Sequence, residues 1–403
     1  MIKIILYRIY KVIVTLASIV IFVQGALSIV IYQYIINFFY RGNLAKRQKY
    51  LNKTKKRFIL LLVTILSMVA PSQVRITSEN KSIPKGSIYM DRKKGRLVSK
   101  ARSNAVVIAN HQIYTDWVFL WWLAYASNLA GDVYIMLKKS LESIPLLGKG
   151  MQNYKFIFMN RKWEQDKINL TNILNELDLD ARGVGLIDGN TPVNKTEEGI
   201  YEWDETKVVR PGEKWPYWLI LFPEGTNLSA GTRAKNNQYA AKNGLKPFRH
   251  VLLPRTTGLK FCLKQLRKSC EYVYDITIAY SGINSDQYGQ DIYKLGNIFL
   301  KGESPKLVEI YIRAIKLEDI PLEDDDKFQA WLFEVWKFKD DLMDTYYKTG
   351  NFGLDLDLNS SVTGPCRVSV MSVISILLFP VLTLIPLIYL LFTKLHSLLP
   401  AHT

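Results

Sequence analysis

Between Val12 and Tyr40 the chain is almost wholly apolar, broken only by Gln24, Gln33 and a few small polar groups. A run of that length can cross a bilayer with some tilt. It is too long for the hydrophobic part of a signal peptide, and no small-residue cleavage site comes promptly after it. The next stretch, Arg41 to Arg57, carries eight positive charges and no acidic residue. Beside a membrane-length helix it reads as a cytoplasmic anchor on anionic headgroups. A second apolar stretch, Phe58 to Ala70, stops at Pro71 and is too short for a span, so a re-entrant or interfacial helix is expected. A third, Val368 to Phe392, is interrupted by Pro380 and Pro386 and suits a kinked span or a hairpin within one leaflet.

The 403 residues include 53 Lys+Arg against 36 Asp+Glu, a formal net charge of +17. Such a balance fits nucleic acid, an anionic membrane or an anionic small substrate. No homeodomain, zinc-finger or RNA-recognition pattern is visible, so nucleic acid is not an expected partner. A hydrophobic fraction of 48% excludes a disordered chain. Three Cys cannot form a disulfide scaffold, and with four His they leave little material for a metal site. No metal is expected.

From Ser82 to Pro321 short apolar runs alternate with helical patterns. Ala105–Ala109, Tyr134–Leu137, Phe156–Phe158, Trp218–Phe222, Val251–Leu253, Ile276–Tyr280 and Val308–Ile312 are strand candidates. Helical spacing falls at Trp117–Ala126, Trp163–Leu177, Ala234–Asn243 and Leu259–Arg267, and an amphipathic helix at Phe328–Tyr347. Alternation of this kind indicates an α/β domain, a sheet flanked by helices, with membrane helices at the N- and C-termini. Residues 1–75 then form a membrane anchor with a basic loop, 76–320 the α/β domain, 321–365 a C-terminal helical segment and 366–403 a C-terminal membrane segment. The stretch 183–216, rich in Gly, Pro, Asn, Glu and Lys, reads as a surface insertion.

Chemistry concentrates where strands end. Asn110-His-Gln-Ile-Tyr-Thr-Asp116 comes directly after the Ala105–Ala109 strand and opens a helix. His111 and Asp116, five apart, would face different ways on a continuous helix, but a strand-to-helix turn can join them. Thr115 or Asp116 would cap the new helix, and an ionised Asp116 would fix the His111 tautomer and make it a general base. No GxSxG, HExxH, P-loop or GxGxxG is present, so the nucleophile would come from the substrate, as a hydroxyl or water. Arg161 stands at the end of Phe156-Ile-Phe-Met-Asn-Arg, where its fork suits phosphate. In Leu221-Phe-Pro-Glu-Gly-Thr-Asn227, amides around Gly225 and Thr226 suit an anion nest, and Glu224 suits a hydroxyl or Arg161. In Val251-Leu-Leu-Pro-Arg-Thr-Thr-Gly258, Pro254 ends a run and Arg255 is placed to face an anion.

These four strings, in this order, resemble the four motifs of the glycerolipid acyltransferases, the lysophosphatidate acyltransferase family. Tyr274–Tyr280 and the later Trp-Leu…Trp…Lys-Asp-Asp-Leu-Met stretch resemble the eukaryotic branch acting on lysophosphatidylinositol and lysocardiolipin. The 183–216 insertion departs from shorter animal members and is similar to a fungal variant. The resemblance implies a glycerol-phosphate-acyltransferase-like fold and a membrane-bound enzyme that moves an acyl group from acyl-CoA to the free hydroxyl of a lysophospholipid. It implies His111 as base and Asp116 as its orienting group. Arg161, Glu224 and Gly225 would hold the glycerophosphate, and Pro254 would lie on the acyl-donor side. No cofactor is implied; acyl-CoA is a co-substrate. The implied location is the endoplasmic reticulum membrane with a cytosolic site, or a lipid droplet. The residues alone also admit a His-Asp lipid hydrolase, or a non-catalytic lipid-binding scaffold.

Overall fold

The computed structural model describes residues 2–160, 162–206, 215–353, 355 and 357–398. Its centre is an eight-stranded mixed sheet. In chain order the strands are β1 (Gln73–Glu79), β2 (Ala105–Ala109), β3 (Val133–Lys138), β4 (Ile157–Met159), β5 (Trp218–Leu221), β6 (Tyr272–Tyr280), β7 (Leu307–Lys316) and β8 (Asn359–Pro365). Spatially they run β8-β1-β7-β6-β2-β5-β3-β4. The five strands from β6 to β4 are parallel, β7 is antiparallel to β6, and β8 closes the other edge antiparallel to β1.

Eight helices of ten or more residues are described: α1 (Ile2–Phe39), α2 (Leu44–Val69), α3 (Asp116–Ala126), α4 (Trp163–Arg182), α5 (Ala230–Lys242), α6 (Thr256–Gln265), α7 (Asp325–Thr349) and α8 (Val370–Leu398). The central strand β2 explains the layering. Its Ala-Val-Val-Ile-Ala run is buried at all five positions. Ala105, Val107 and Ala109 pack into one core with α2 and α3. Val106 and Ile108 pack into a second core with α4, α6 and α7. Side chains alternate along a strand, so an unbroken apolar run needs cover on both faces, and the helices supply it.

Four expectations change. Phe58–Ala70 is not an interfacial helix: Phe58 to Leu66 are all buried within the domain, as suits a helix apolar on every side. Of the Arg41–Arg57 cluster, Lys55 is buried and donates to Val133 O at 2.9 Å, its ammonium 4.1 Å from the Tyr134 ring. Burial pushes that ammonium down to about 7, so it does not serve a headgroup anchor. Val251–Leu253 is buried but forms no strand, because side chains take the place of a ladder. Asn236 accepts the Leu253 N–H at 2.8 Å, and Arg233 donates to the carbonyls of Phe248, Arg249 and Val251. Asn359–Pro365, in the stretch expected to be helical, forms the edge strand on β1.

Ile9–Phe39 and Val370–Leu390 are each long and apolar enough to cross a membrane, by length and composition. Pro380 and Pro386 lie inside a single helix, α8. The insertion carries a small hairpin, Asn194–Lys195 with Tyr201–Glu202, held by the Asn172 side chain on Gly199 O and Tyr201 N; residues 207–214 lie outside the described part.

Candidate active site

β2 ends at Ala109, and a side chain makes the next rung. Asn110 Nδ2 donates to Ile278 O at 3.0 Å while its Oδ1 accepts the Ile278 N–H at 2.8 Å. The amide thereby copies a backbone pair and fixes where the chain leaves the sheet. The turn after it brings His111 Nδ1 to 2.7 Å from Asp116 Oδ2. The same oxygen accepts the N–H groups of Gln112 at 2.6 Å and Ile113 at 3.1 Å, and the Tyr280 hydroxyl donates to Oδ1. Asp116 is buried, whereas the His111 side chain keeps 19% of its surface exposed. With a carboxylate accepting at Nδ1, that nitrogen is the donor and Nε2 holds the lone pair. Burial and the Asp116 charge push the Tyr280 phenol well up, which keeps it a donor. The expected helix cap is absent: Thr115 makes no side-chain cap, and Asp116, the first residue of α3, turns back onto its own loop.

The β5 turn lies against this loop. The Phe222 ring stacks on the His111 imidazole at 4.3 Å between centroids, and Leu228 N–H donates to His111 O at 2.8 Å. Gly225 has φ +71°, a left-handed conformation that disfavours a side chain. A Cβ there would come within 3.1 Å of Arg255 Nε, so the exposed Arg255 side chain lies across the turn. Its backbone N–H donates to Pro223 O at 2.8 Å, which straps the β5 turn to the start of α6 next to the buried Pro254. Arg255 forms no ion pair among the described residues. The Gly225 N–H is occupied by Phe222 O at 2.9 Å, so of the expected anion nest the partly exposed Thr226 remains. Arg161 lies outside the described residues.

Glu224 faces inward. It is 2% exposed, and the Trp336 indole N–H donates to its Oε1 at 3.4 Å. Burial pushes the carboxyl up to about 8, with the Trp336 and His111 N–H groups acting against that rise and the Asp116 charge adding to it. Trp336 belongs to α7, which braces the site from behind. Lys339, fully buried, donates to Ile276 O at 2.6 Å and pairs with Asp275, whose other oxygen accepts from Arg313 at 2.7 Å. Asp340 accepts the N–H groups of Arg249 and His250, at 3.0 and 2.6 Å. The Gln112 side chain, beside His111, donates to His250 O at 3.2 Å. Helix α7 therefore fixes both the Glu224 turn and the segment behind Gln112.

Tyr280, Asn110, Phe222, Trp336 and Lys339 carry no role on sequence reasoning. One signal was present for Lys339. It interrupts an otherwise apolar stripe, Phe328, Leu332, Val335, Trp336, Met343 and Tyr346, at helical spacing.

Comparison with known proteins adds an independent line. The chain matches the Acyltransferase family model over residues 75–281 and the Acyltransferase C-terminus model over residues 298–376. It is similar to 2-acyl-1-lysophosphatidylinositol acyltransferase of Saccharomyces cerevisiae, 53% identical over 384 residues covering 95% of this chain and 96% of that one. It is also similar to lysocardiolipin acyltransferase 1 of Gallus gallus, 31% identical over 65% of this chain and 58% of the relative. Lysophosphatidylinositol acyltransferase 10 of Caenorhabditis elegans is 33% identical over 61% of this chain and 53% of its own length.

Proposed function

We propose, of a chain that belongs to the acyltransferase family, that it moves a fatty acyl group onto the free hydroxyl of a lysophospholipid, with lysophosphatidylinositol as the acceptor. The observation that carries this reading is the His111 Nδ1–Asp116 contact of 2.7 Å, in a histidine that remains partly exposed beside the turn carrying Phe222 and Gly225. His111 Nε2 takes the proton of the lysolipid hydroxyl as that oxygen attacks the thioester carbonyl of acyl-CoA. The tetrahedral oxyanion collapses, the C–S bond breaks, and the imidazolium returns its proton to the CoA thiolate. Asp116 holds the imidazole in the required tautomer and stabilises its protonated form. General-base help of this kind is worth roughly 10²–10⁴-fold. The Arg255 guanidinium, exposed at the N-terminus of α6, suits the acceptor phosphate.

The reading extends to place. Two apolar helices and a lipid acceptor fit a membrane enzyme whose site faces cytosolic acyl-CoA, on the endoplasmic reticulum or a lipid droplet. The test is transfer of labelled acyl-CoA to a panel of lysolipids by the purified full chain in detergent. Acyl transfer strongest on lysophosphatidylinositol and abolished by His111→Ala is expected. Free fatty acid as the sole product, or transfer undiminished in His111→Ala, would refute the assignment.

A further inference from the structure

Two amide side chains flank the His111 loop and bond only each other. The first, Asn227, follows Thr226 in the β5 turn. The residue after it, Leu228, donates its N–H to His111 O at 2.8 Å, so Asn227 stands next to the catalytic loop. The other side of its peptide is fixed too: the Thr232 hydroxyl donates to Asn227 O at 2.9 Å, within the capping box that opens α5.

The second, Gln290, belongs to the segment after β6. Gly289 brings that segment so close to the catalytic loop that a Cβ there would come within 2.7 Å of Ile113 Cγ2 and 3.2 Å of Gln112 O. The segment is well tied. The Tyr293 hydroxyl donates to Ser281 O at 2.5 Å, which closes residues 281–293 into one loop, and the buried Ile283 joins it to the core. Asn284 N–H donates to Gln287 Oε1 at 3.0 Å and Asp291 N–H to Tyr288 O at 3.0 Å. Gln290, directly after Gly289, is thereby held beside residues 112 and 113.

Asn227 Nδ2 donates to Gln290 Oε1, which links the β5 turn to the loop after β6 around the catalytic segment. Both side chains are partly exposed, and neither makes another hydrogen bond among the described residues. The bond between them leaves the Gln290 N–H2 group and the Asn227 carbonyl oxygen available, a donor beside an acceptor. With both amides turned the other way the pair would still leave one of each. Buried, such a pair would be a brace and nothing more. Partly exposed and next to a general base, it has polar groups to spend on a ligand.

The acceptor supplies the matching chemistry. Its headgroup hangs on a phosphate only a few bonds from the hydroxyl that His111 deprotonates, so the headgroup meets the residues immediately around His111. The inositol ring of lysophosphatidylinositol carries a hydroxyl on each free carbon. Every one both donates and accepts, and neighbours on the ring present the two functions side by side. A neutral amide pair suits that pattern. An ammonium headgroup is better held by an aromatic cage or a carboxylate, and lysophosphatidate has no ring at all.

We propose that Asn227 and Gln290 form the headgroup subsite, binding adjacent hydroxyls of the inositol ring through the Gln290 N–H2 group and the Asn227 carbonyl. The proposal rests on the acyltransferase reading above and adds to it the residues that select the acceptor. They have no part in the proton transfer at His111.

The test is initial-rate kinetics of the full chain in detergent on lysophosphatidylinositol, lysophosphatidate and lysophosphatidylethanolamine, with thermal unfolding to check the fold of each variant. Gln290→Met keeps the length of the side chain and removes its polar atoms. KM for lysophosphatidylinositol should rise about 10-fold, as for one lost hydrogen bond and its stranded partner, with kcat and the KM for acyl-CoA unchanged. Any acceptor without the ring that the wild type also uses should keep its kcat/KM. Gln290→Glu separates recognition from bracing, because its carboxylate still accepts from Asn227 Nδ2 but has no N–H to give. KM for lysophosphatidylinositol should rise in this variant also. A wild-type KM in Gln290→Glu, or a fall in kcat with KM kept in Gln290→Met, makes the pair a brace and overturns the subsite. An unchanged KM in Gln290→Met, or an equal rise for lysophosphatidylethanolamine, overturns it as well. A wild-type chain that prefers lysophosphatidate or lysophosphatidylethanolamine removes the inositol assignment itself, whereas a preference for lysophosphatidylinositol that survives in both variants overturns this proposal alone.

Discussion

Glu224→Gln tests whether the buried carboxyl behind His111 is neutral. The ordinary Glu value of 4.5 is raised to about 8 in the folded chain, where the group is fully buried. A raised carboxyl binds its proton more tightly when folded than when unfolded. Between pH 4.5 and 8 the unfolded chain releases that proton first, so folding loses about 1.4 kcal/mol per pH unit from this group. The loss amounts to about 3 kcal/mol at pH 7 and levels off near 5 kcal/mol above pH 8. Glutamine has nearly the same shape, can accept from the Trp336 indole, and does not titrate. Relative to the wild type, Glu224→Gln should gain stability steadily from pH 4.5 upward and reach its full advantage above pH 8. The measurement is chemical unfolding of both proteins in one detergent at stepped pH. Parallel stability curves across that window would show that Glu224 ionises normally and that its burial does not govern its charge.

Tyr280→Phe removes the donor from Asp116 Oδ1 and leaves a buried charged acceptor short of one partner. A stability loss of about 1.5–3 kcal/mol is expected, with kcat lowered and KM for both substrates kept, since the phenol orients Asp116 without reaching a ligand. Steady-state kinetics on the variant decide it, and a wild-type kcat rejects the role. Gly225→Ala forces a side chain at φ +71° and crowds Arg255. It should cost about 1 kcal/mol of stability and raise KM for the lysolipid more than it lowers kcat. Initial rates over a lysolipid series test this, and an unchanged KM would separate Arg255 from acceptor binding.

Much of the fold was legible because several segments carry their own signal. Ala105–Ala109 is too apolar to be half-covered, and the helical spacing of Trp163–Leu177 reappears as α4. The His111–Asp116 pair was legible as a candidate because a strand-to-helix turn can join residues five apart, and the three later strings in family order gave it its role. Val251–Leu253 misled because an apolar run reports burial and not the ladder that satisfies its backbone. Here the Arg233 and Asn236 side chains supply those bonds at Val251 O and the Leu253 N–H, and Asp340, distant in sequence, accepts from His250 just before the run.

Which segments are apolar, which alternate, and which short strings carry acid, base and turn chemistry is written in the order of residues, since these properties depend on neighbours a few positions apart. Long-range packing settles the rest: Phe58–Leu66 is core, Lys55 ends on Val133 O, Tyr280 grips Asp116 from 164 positions away, and α1 is strapped along the domain. A periodic pattern states that a face must be covered. Whether lipid, a sheet or another helix covers it depends on contacts between residues far apart in the chain, which become fixed only when the whole domain closes.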